Sequence, residues 1–224
     1  MDFKDVLRIY GKMKSENPNN FSFIGKMFQD IKKLYKADAK KRDKDPNQSW
    51  NSWSGKKLQK LINYIVIDYI KSLKNGFETV SDDELRKEKL PPNLDAVRRN
   101  VEIFFGEYSL IPDADIIVYE KNSYKVKLIL SCKASLRERV AQAAYWKLKL
   151  LANKTTEDIR VYLVSTDNDG DFIKRKTEIH RNRIIVEYDL DGAYIFRDIE
   201  ESNKIKSFDK IFDDIEKILS DGKG

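Results

Sequence analysis

Two neighbouring apolar segments, residues 115–119 and 126–133, constrain the fold of this chain more than any other feature. Both are rich in isoleucine, valine and leucine, and such segments favour β-strands. The six residues between them include an Asn-Ser pair that is typical of a turn. The sequence therefore predicts a β-hairpin with aspartates at the start of its first strand and a lysine at the end of its second.

The register of this hairpin decides which side chains meet at its end. One centring of the turn places Asp115 opposite Ser131, and a shift of the turn by one residue places Asp113 there instead. In either register Lys133 projects from the same face as Ser131, because side chains two residues apart in a strand share a face. One or two carboxylates and a lysine are therefore expected to converge at one end of the hairpin.

The composition of the chain limits the chemistry of such a site. One cysteine and one histidine are too few for a Cys/His zinc site, and the sequence has no glycine-rich phosphate-binding motif. A net charge of +6 at pH 7 suits a polyanionic partner. The lone cysteine and the lack of a recognisable signal peptide lead us to expect a cytoplasmic protein. If the chain acts on nucleic acid, its reactive groups are carboxylates, lysines and a bound metal.

A carboxylate buried beside a lysine is costly unless another interaction offsets the burial. A divalent cation would do so, and Asp113 or Asp115 with the backbone carbonyl of Cys132 could hold Mg²⁺. The ion would activate water to attack a phosphodiester. Lys133 would orient or deprotonate that water, or stabilise the charged transition state. The alternative is a salt bridge at a strand end, exposed to solvent.

The segment P-D-A-D-I-I-V (112–118), a turn, and a strand ending in Ser131-Cys-Lys resemble the PD-(D/E)-x-K nuclease superfamily. The Leu-Arg-Glu-Arg that follows at 136–139 is similar to type II restriction endonucleases that recognise CCGG-type sites, in which a Ser-x-Lys replaces the acidic-x-Lys. The resemblance implies an α/β (α+β) fold, a restriction-endonuclease-like mixed sheet flanked by helices with an N-terminal helical region. It also implies Mg²⁺-dependent cleavage of double-stranded DNA, with Mn²⁺ able to substitute. A homodimer on a palindromic site and a cognate DNA methyltransferase in the same system are further expectations.

Ser131 leaves this pattern one carboxylate short. The restriction group compensates with a glutamate on the next helix, where this sequence has Tyr-Trp-Lys at 145–147. Glu102, upstream, is the first substitute as a catalytic and metal-binding group, and Glu138 is the second. Both have local alternatives, because Glu102 could pair with the arginine four residues before it and Glu138 could close a capping box at the start of a helix.

Base recognition is predicted for the helix after the lysine, over residues 135–153. The resemblance implies that the Arg-Glu-Arg motif recognises C:G pairs, which assigns DNA contacts to Arg137, Glu138 and Arg139. Gln142 follows at helical spacing, and arginine and glutamine carry the hydrogen-bonding groups that fit guanine and adenine. Surface salt bridges are the alternative for the arginines.

A second candidate for DNA contact is the segment 45–57, which is predicted to be a polar loop. It contains Trp50 and Trp53 and ends on Lys56 and Lys57. Aromatic side chains can wedge between bases, and lysines contact phosphates. The alternative is that the tryptophans cover the hydrophobic core.

The rest of the chain divides at about residue 80. Residues 1–80 are predicted to be a helical region that contacts DNA or mediates dimerisation, and residues 81–224 the catalytic core, unless the whole chain is one compact domain. The acidic DNDGD at 167–171 is interpreted as a turn, because it lacks the closing glutamate of a calcium loop. Other elements predicted in the core are a helix over 94–105, a strand over 159–166, a hairpin of strands 183–188 and 193–197, and a helix over 208–219.

Three functions are consistent with these patterns. The favoured one is a type II restriction endonuclease that makes Mg²⁺-dependent double-strand cuts at a short palindromic site. The second is a structure-specific repair or junction nuclease, which would cut branched DNA without sequence preference. The third is a DNA-binding module without catalytic activity, which the missing carboxylate suggests.

Overall fold

The computed structural model describes residues 2–18, 20–73, 76–173 and 178–220. The strands are β1 (Phe77–Val80), β2 (Ile103–Phe105), β3 (Tyr108–Leu110), β4 (Ile116–Glu120), β5 (Val126–Lys133), β6 (Arg160–Ser165), β7 (Gly192–Ile195) and β8 (Ile205–Ser207). Six of them form one sheet in the order β1-β4-β5-β6-β7-β8, and β2 pairs with β3 separately. The pairs β1/β4 and β4/β5 are antiparallel, whereas the remaining neighbours in the sheet are parallel.

Helices cover both faces of the sheet. The helices are α1 (Phe3–Glu16), α2 (Phe23–Lys41), α3 (Pro46–Ser72), α4 (Asp82–Leu85), α5 (Pro92–Arg99), α6 (Arg139–Leu151), α7 (Arg181–Asp189) and α8 (Ile211–Ser220). One hydrophobic core joins α1, α2, α3 and α8 to one face, and a second core joins α4 to α7 to the other. The expected fold class, a mixed sheet flanked by helices with helices at the N-terminus, is confirmed. Across the described ranges, no helix is long and apolar enough to cross a membrane.

The central hairpin forms as predicted, in the register that places Asp115 opposite Ser131. Ile116 pairs with Leu130, and the backbone N–H of Asp115 donates to the carbonyl of Leu130 at 3.0 Å. The core under α1 to α3 contains Ile116, Val118, Leu128, Leu130 and Cys132, whereas the core under α6 contains Ile117, Tyr119, Val126 and Ile129. Both faces of the two strands are buried, which explains their nearly continuous apolar sequence.

The predicted loop over 45–57 is wrong, because this segment is the first part of α3. The Asp45 side chain accepts a hydrogen bond from the backbone N–H of Gln48 at 2.5 Å, and proline occupies the first helical turn. Trp50 and Trp53 are buried and stack on each other with ring centroids 5.2 Å apart. They are therefore not positioned to contact DNA.

The energetic reason is the size of the aromatic side chains. Burying one removes about 150–250 Å² from water, and at about 25 cal/mol per Å² this amounts to several kcal/mol. Asn and Ser cost only about 0.5 kcal/mol each in a helix relative to alanine. Burial of the tryptophans therefore outweighs the weak helix propensity of the polar residues around them.

Three further predictions of secondary structure need correction. The predicted strand over 183–188 is part of helix α7, and β7 runs parallel to β6 rather than forming a hairpin. The predicted helix over 94–105 ends at Arg99 and is followed by β2, while Asn100 donates to the carbonyls of Ala96 and Tyr124 and so closes the helix. The region 1–80 is not purely helical, since β1 pairs with β4 at the edge of the sheet.

Candidate active site

The end of the central hairpin fixes the side chain of Asp115 with three donors. Its Oδ2 accepts from the backbone N–H of Cys132 at 2.6 Å and from Lys133 Nζ at 3.0 Å. Its Oδ1 accepts from Nε2 of Gln59, which reaches the site from α3. The side chain is only 10% exposed. The carboxylate is thus held in one orientation by strand β5 and by the N-terminal helices together.

Burial raises the pKa of Asp115 above its usual value, although the Cys132 amide and Lys133 both act to lower it. The negative charge of Asp82 raises the pKa further. The ionised carboxylate is therefore not fully compensated by its protein partners. Such an arrangement is typical of functional sites, where a bound cation or substrate supplies the missing interaction.

A cavity of about 260 Å³ opens beside this carboxylate. It brings together six of the residues singled out in the sequence, namely Asp113, Asp115, Ser131, Lys133, Arg139 and Gln142. Trp146, one turn beyond Gln142 on α6, also lines it. The predicted catalytic group and part of the predicted recognition group therefore share one concave surface.

Asp82 is a site residue that sequence reasoning missed, because the segment 81–93 is highly charged and contains two prolines, which is typical of a connector. Ser81 caps the short helix α4 by accepting from the backbone N–H of Glu84 at 3.2 Å, and Asp82 is the first residue of that helix. The backbone N–H of Asp82 donates to the carbonyl of Ala114 at 3.1 Å, which holds α4 against the start of β4. The capping pattern Ser-Asp-Asp-Glu was a visible signal of a helix start.

Arg86 links the two outer carboxylates of the cavity. Its Nη2 lies 3.3 Å from Asp82 Oδ2 and 3.1 Å from Asp113 Oδ1, and it also donates to the carbonyl of Ile111 at 2.8 Å. Asp113 Oδ2 accepts a further hydrogen bond from Gln142 Nε2. Both aspartates therefore have protein partners, but the Asp113 side chain is 45% exposed, whereas that of Asp115 is 10% exposed.

Glu102 does not take part in this site. It precedes β2, its Oε1 accepts from Ser109 Oγ at 3.1 Å, and it is absent from the described residues that line the cavity. The structure therefore does not bring Glu102, which was predicted as a catalytic and metal-binding group, into the described lining of this cavity. The physical reason is that α5 ends at Arg99, so Glu102 lies between this helix and β2 rather than on the helix that was predicted to carry it.

Lys147 is one of the three residues, 145–147, that stand where the resemblance implies a glutamate, and its side chain is buried. Its Nζ donates to the carbonyl of Ile159 and lies 2.8 Å from Asp191 Oδ2. Burial alone would raise the pKa of Asp191, but the hydrogen bonds from Lys147 and from the Val161 amide lower it below its usual value. This position therefore carries a structural ion pair between α6 and the start of β7.

The segment before α6 differs from its prediction. The helix begins at Arg139 rather than at Ser135, and Glu138 makes no capping hydrogen bond within the described residues. Ser135 Oγ instead donates to Asp169 Oδ2 at 2.5 Å. The capping-box alternative for Glu138 is therefore wrong, and Arg137 and Glu138 are both exposed.

Arg139 and Gln142 are hydrogen-bonded to each other. Arg139 Nη1 donates to Gln142 Oε1 at 3.0 Å, and Gln142 in turn donates to Asp113.

On α3, Lys57 is half-buried two residues before Gln59. The side chain of Lys56 lies outside the described part of the structure.

The cavity offers carboxylates and a backbone carbonyl that could hold a divalent metal ion. Across the described residues, no group of three or more His, Cys, Asp or Glu side chains forms a complete protein cage for it. Mg²⁺ usually takes one or two carboxylates and retains several waters. The carbonyl of Cys132 points to the same side of β5 as its amide, toward Asp115, because N–H and C=O of one strand residue share a direction.

Comparisons with known proteins agree with this architecture. A solved structure of restriction endonuclease PspGI with substrate DNA superimposes with a TM-score of 0.50 and 14% identity, covering 99% of this chain and 94% of that one. The fold is thus that of a restriction endonuclease. The family model for BsaWI restriction endonuclease type 2 matches residues 93–214.

Two relatives are named as type II restriction enzymes. MjaVIP of Methanocaldococcus jannaschii is 40% identical over 174 residues, which cover 75% of this chain and 76% of that protein. HpyAORF263P of Helicobacter pylori is 33% identical over 182 residues, covering 75% and 89%. The chain belongs to the BsaWI family of type II restriction endonucleases, and it is a site-specific, DNA-binding deoxyribonuclease. Among the three functions considered from the sequence, this is the favoured one.

Proposed function

We propose that this endonuclease cuts both strands of a short palindromic DNA site in a Mg²⁺-dependent reaction at the Asp115–Lys133 end of the hairpin. The observation that carries the proposal is the buried Asp115 carboxylate, 3.0 Å from Lys133 Nζ and facing a cavity. Burial raises the pKa of Asp115 despite its contact with Lys133, so a further cation beside the carboxylate would stabilise its ionised form. A metal ion and a DNA phosphate would together supply the missing partners.

We propose that Mg²⁺ or Mn²⁺ is held by Asp115, Asp82 and the carbonyl of Cys132. Asp113 lines the same cavity and is held by Arg86. When bound, the ion would lower the pKa of a water molecule and offset charge on the phosphate. Gln59 and the Cys132 amide keep the Asp115 carboxylate in one orientation. Ser131 lines the cavity opposite Asp115 without supplying a charge.

Lys133 is proposed to stabilise the negative charge that develops on the phosphate and to orient the attacking water. Its side chain is partly buried, so its interaction with a phosphate is less screened than at the surface. Asp115 holds the ammonium at the cavity wall before DNA binds. The lysine therefore needs little reorganisation to contact the phosphate.

Base recognition is proposed for Arg137, Glu138, Arg139 and Gln142. The last two line the same cavity as Asp115, so bases that they contact would lie close to the cut phosphate. Arginine can bond guanine through two hydrogen bonds, which suits C:G pairs. Lys57, with Lys56, is proposed to contact the DNA backbone because it lies on α3 close to Gln59.

A palindromic site calls for a protein with two-fold symmetry, so we propose a homodimer. An enzyme of this specificity would also cut its host genome, and we propose a cognate DNA methyltransferase and a location in the cytoplasm together with the DNA. The chain is proposed to be one compact domain rather than two, since α1, α2 and α3 share a hydrophobic core with the sheet.

The proposed function is tested by mapping cleavage products in different metal ions. We expect cleavage with Mg²⁺ or Mn²⁺, no cleavage with Ca²⁺ or excess chelator, and fragment ends that lie symmetrically in one self-complementary sequence. Sedimentation of the free protein and of its DNA complex measures the expected dimer. Cleavage that persists in chelator, or ends scattered over unrelated sequences, would contradict the proposal.

Asp82→Asn is expected to lower the Mg²⁺-dependent cleavage rate about 10²-fold or more, because it removes a carboxylate next to the proposed ion. Raising the Mg²⁺ concentration should recover part of the loss. Glu102→Gln is the matched control, since it also removes one carboxylate charge but outside the cavity, and its rate should stay within about twofold of wild type. Single-turnover rates measured across a Mg²⁺ titration separate the two variants; equal effects would exclude Asp82 from the site.

A further inference from the structure

The DNDGD loop, residues 167–171, follows β6 and is folded inward on its own carboxylates. Asp167 is completely buried and accepts from the backbone N–H groups of Asp171 at 2.7 Å and Phe172 at 3.1 Å. Arg197 donates to the carbonyl of Asp167 at 2.6 Å. Hydrogen bonds therefore hold both ends of the loop in place.

The outer side of this loop contacts the segment that connects β5 to α6. Asp169 Oδ2 accepts from Ser135 Oγ at 2.5 Å and from the backbone N–H of Leu136 at 3.0 Å. The carbonyl of Ala134 accepts hydrogen bonds from the backbone N–H of Asn168 and from Thr166 Oγ1, both at 3.2 Å. Three successive residues after the Lys133 strand end are thus tied to the loop.

Asn182, at the start of α7, extends these contacts to Arg137. Its Nδ2 donates to Asp171 Oδ2 at 2.7 Å and to the carbonyl of Arg137 at 3.3 Å. Asn182 is 2% exposed, and its Oδ1 is buried without a hydrogen-bond partner in the part of the chain that the structure describes. The Asn182 side chain therefore joins Asp171 to Arg137 through its Nδ2 amide group. On the other side of Asp171, His180 Nε2 lies 3.3 Å from Oδ1.

Arg137 has a backbone φ of +24°, in the region that disfavours residues other than glycine. A backbone of this kind persists only where its surroundings hold it in place, and such residues concentrate at binding sites. The Asn182 contact falls on the carbonyl of this residue. Two residues later the chain enters α6, so the conformation at Arg137 sets the directions in which both arginines leave the backbone.

We propose that Asp169 and Asn182 are positioning residues that fix the Arg137–Arg139 segment for recognition of base pairs in DNA. The inference rests on the proposed recognition function of that segment. Asp169 and Asn182 act through the backbone of residues 135–137 and do not themselves contact DNA. Loss of these contacts allows the Arg137–Arg139 segment to move. Hydrogen bonds to base edges depend on precise geometry and are weakened more by such movement than contacts to phosphates, which depend on charge.

The test uses the full-length enzyme and two kinds of DNA, the mapped recognition site and the same site with single base-pair substitutions. Asp169→Ala is expected to lower the ratio of kcat/KM between the two about tenfold. The loss should fall at the base pairs whose discrimination Arg137→Ala or Arg139→Ala also reduces. Asp169→Asn keeps an oxygen acceptor for Ser135 and Leu136, and it should restore most of the ratio.

Asp158→Ala is the matched control, because Asp158 is exposed at the opposite end of β6 and its loss changes the net charge equally. It should raise affinity for all DNA slightly and leave the ratio unchanged. If Asp169→Ala does not fold, Ser135→Ala, which removes a single donor to the same carboxylate, carries the test with an expected loss of about threefold.

The outcomes separate this inference from the proposed function. If wild type and the arginine variants show no discrimination, both fail. If the arginine variants lose discrimination but Asp169→Ala and Ser135→Ala retain the wild-type ratio, the positioning role alone is overturned. A fall in Tm with equal losses on both DNAs likewise overturns it, since this is the effect of a purely structural contact.

Discussion

Lys133→Ala is expected to lower the rate of DNA cleavage by about 10³-fold while leaving DNA affinity within a fewfold of wild type. The Lys133 ammonium is hydrogen-bonded to Asp115 at the cavity wall, where it would meet the phosphate that is cut. Its contribution is therefore made mainly in the transition state, and its loss lowers the rate rather than the affinity. Single-turnover cleavage in Mg²⁺ and DNA binding in Ca²⁺ measure the two effects separately.

Lys127→Ala is the matched control for this variant. Lys127 lies on the same strand, six residues before Lys133, and is not among the described residues that line the cavity. It should cut at close to the wild-type rate, since it removes the same charge away from the cavity. If Lys133→Ala also cut at the wild-type rate, the assignment of the site to this end of the hairpin would be wrong.

Asp115→Asn is expected to abolish Mg²⁺-dependent cleavage, with a loss of about 10³-fold or more, and to change how stability depends on pH. Burial raises the pKa of Asp115 in the folded protein above its value in the unfolded chain. The folded state therefore binds more protons between the two pKa values. This contribution to the stability of metal-free wild type is present below the unfolded pKa and is lost as pH rises through the folded pKa.

The Asn variant has no such group, so its Tm relative to metal-free wild type should increase as pH rises from about 4 toward neutrality. Addition of Mn²⁺ or Mg²⁺ should reverse the difference, because an ion that binds only the folded wild type raises its Tm by mass action. Thermal unfolding across pH, with and without metal, measures both effects. A Tm difference that is independent of pH and metal would contradict the account of Asp115.

The central hairpin could be predicted because its information is local. The two strands alternate between two buried faces, the turn lies between them, and Asp115 and Lys133 mark the end of the pair. The approach of Arg139 and Gln142 to the same cavity also followed from helical spacing after Lys133. These positions depend on backbone periodicity over a few residues, which a sequence displays directly.

The rest of the site could not be predicted because it depends on contacts between distant segments. Asp82 joins the cavity through the pairing of β1 with β4 and through the hydrogen bond from its backbone N–H to the carbonyl of Ala114, neither of which has a local signal. Gln59 reaches Asp115 only because α3 packs across the sheet. Helix α7 was mistaken for a strand because its short Ile-Ile-Val run is equally compatible with both structures.

Cleavage of DNA at defined sequences by the site at the end of the hairpin is the proposed activity of this chain. Digestion of a plasmid of known sequence by purified wild type, in Mg²⁺ and in chelator, tests it most directly. We expect a small set of discrete fragments in Mg²⁺, all with ends in one common sequence, and intact plasmid in chelator. A smear of fragments, or intact plasmid under both conditions when that sequence is present, would contradict it.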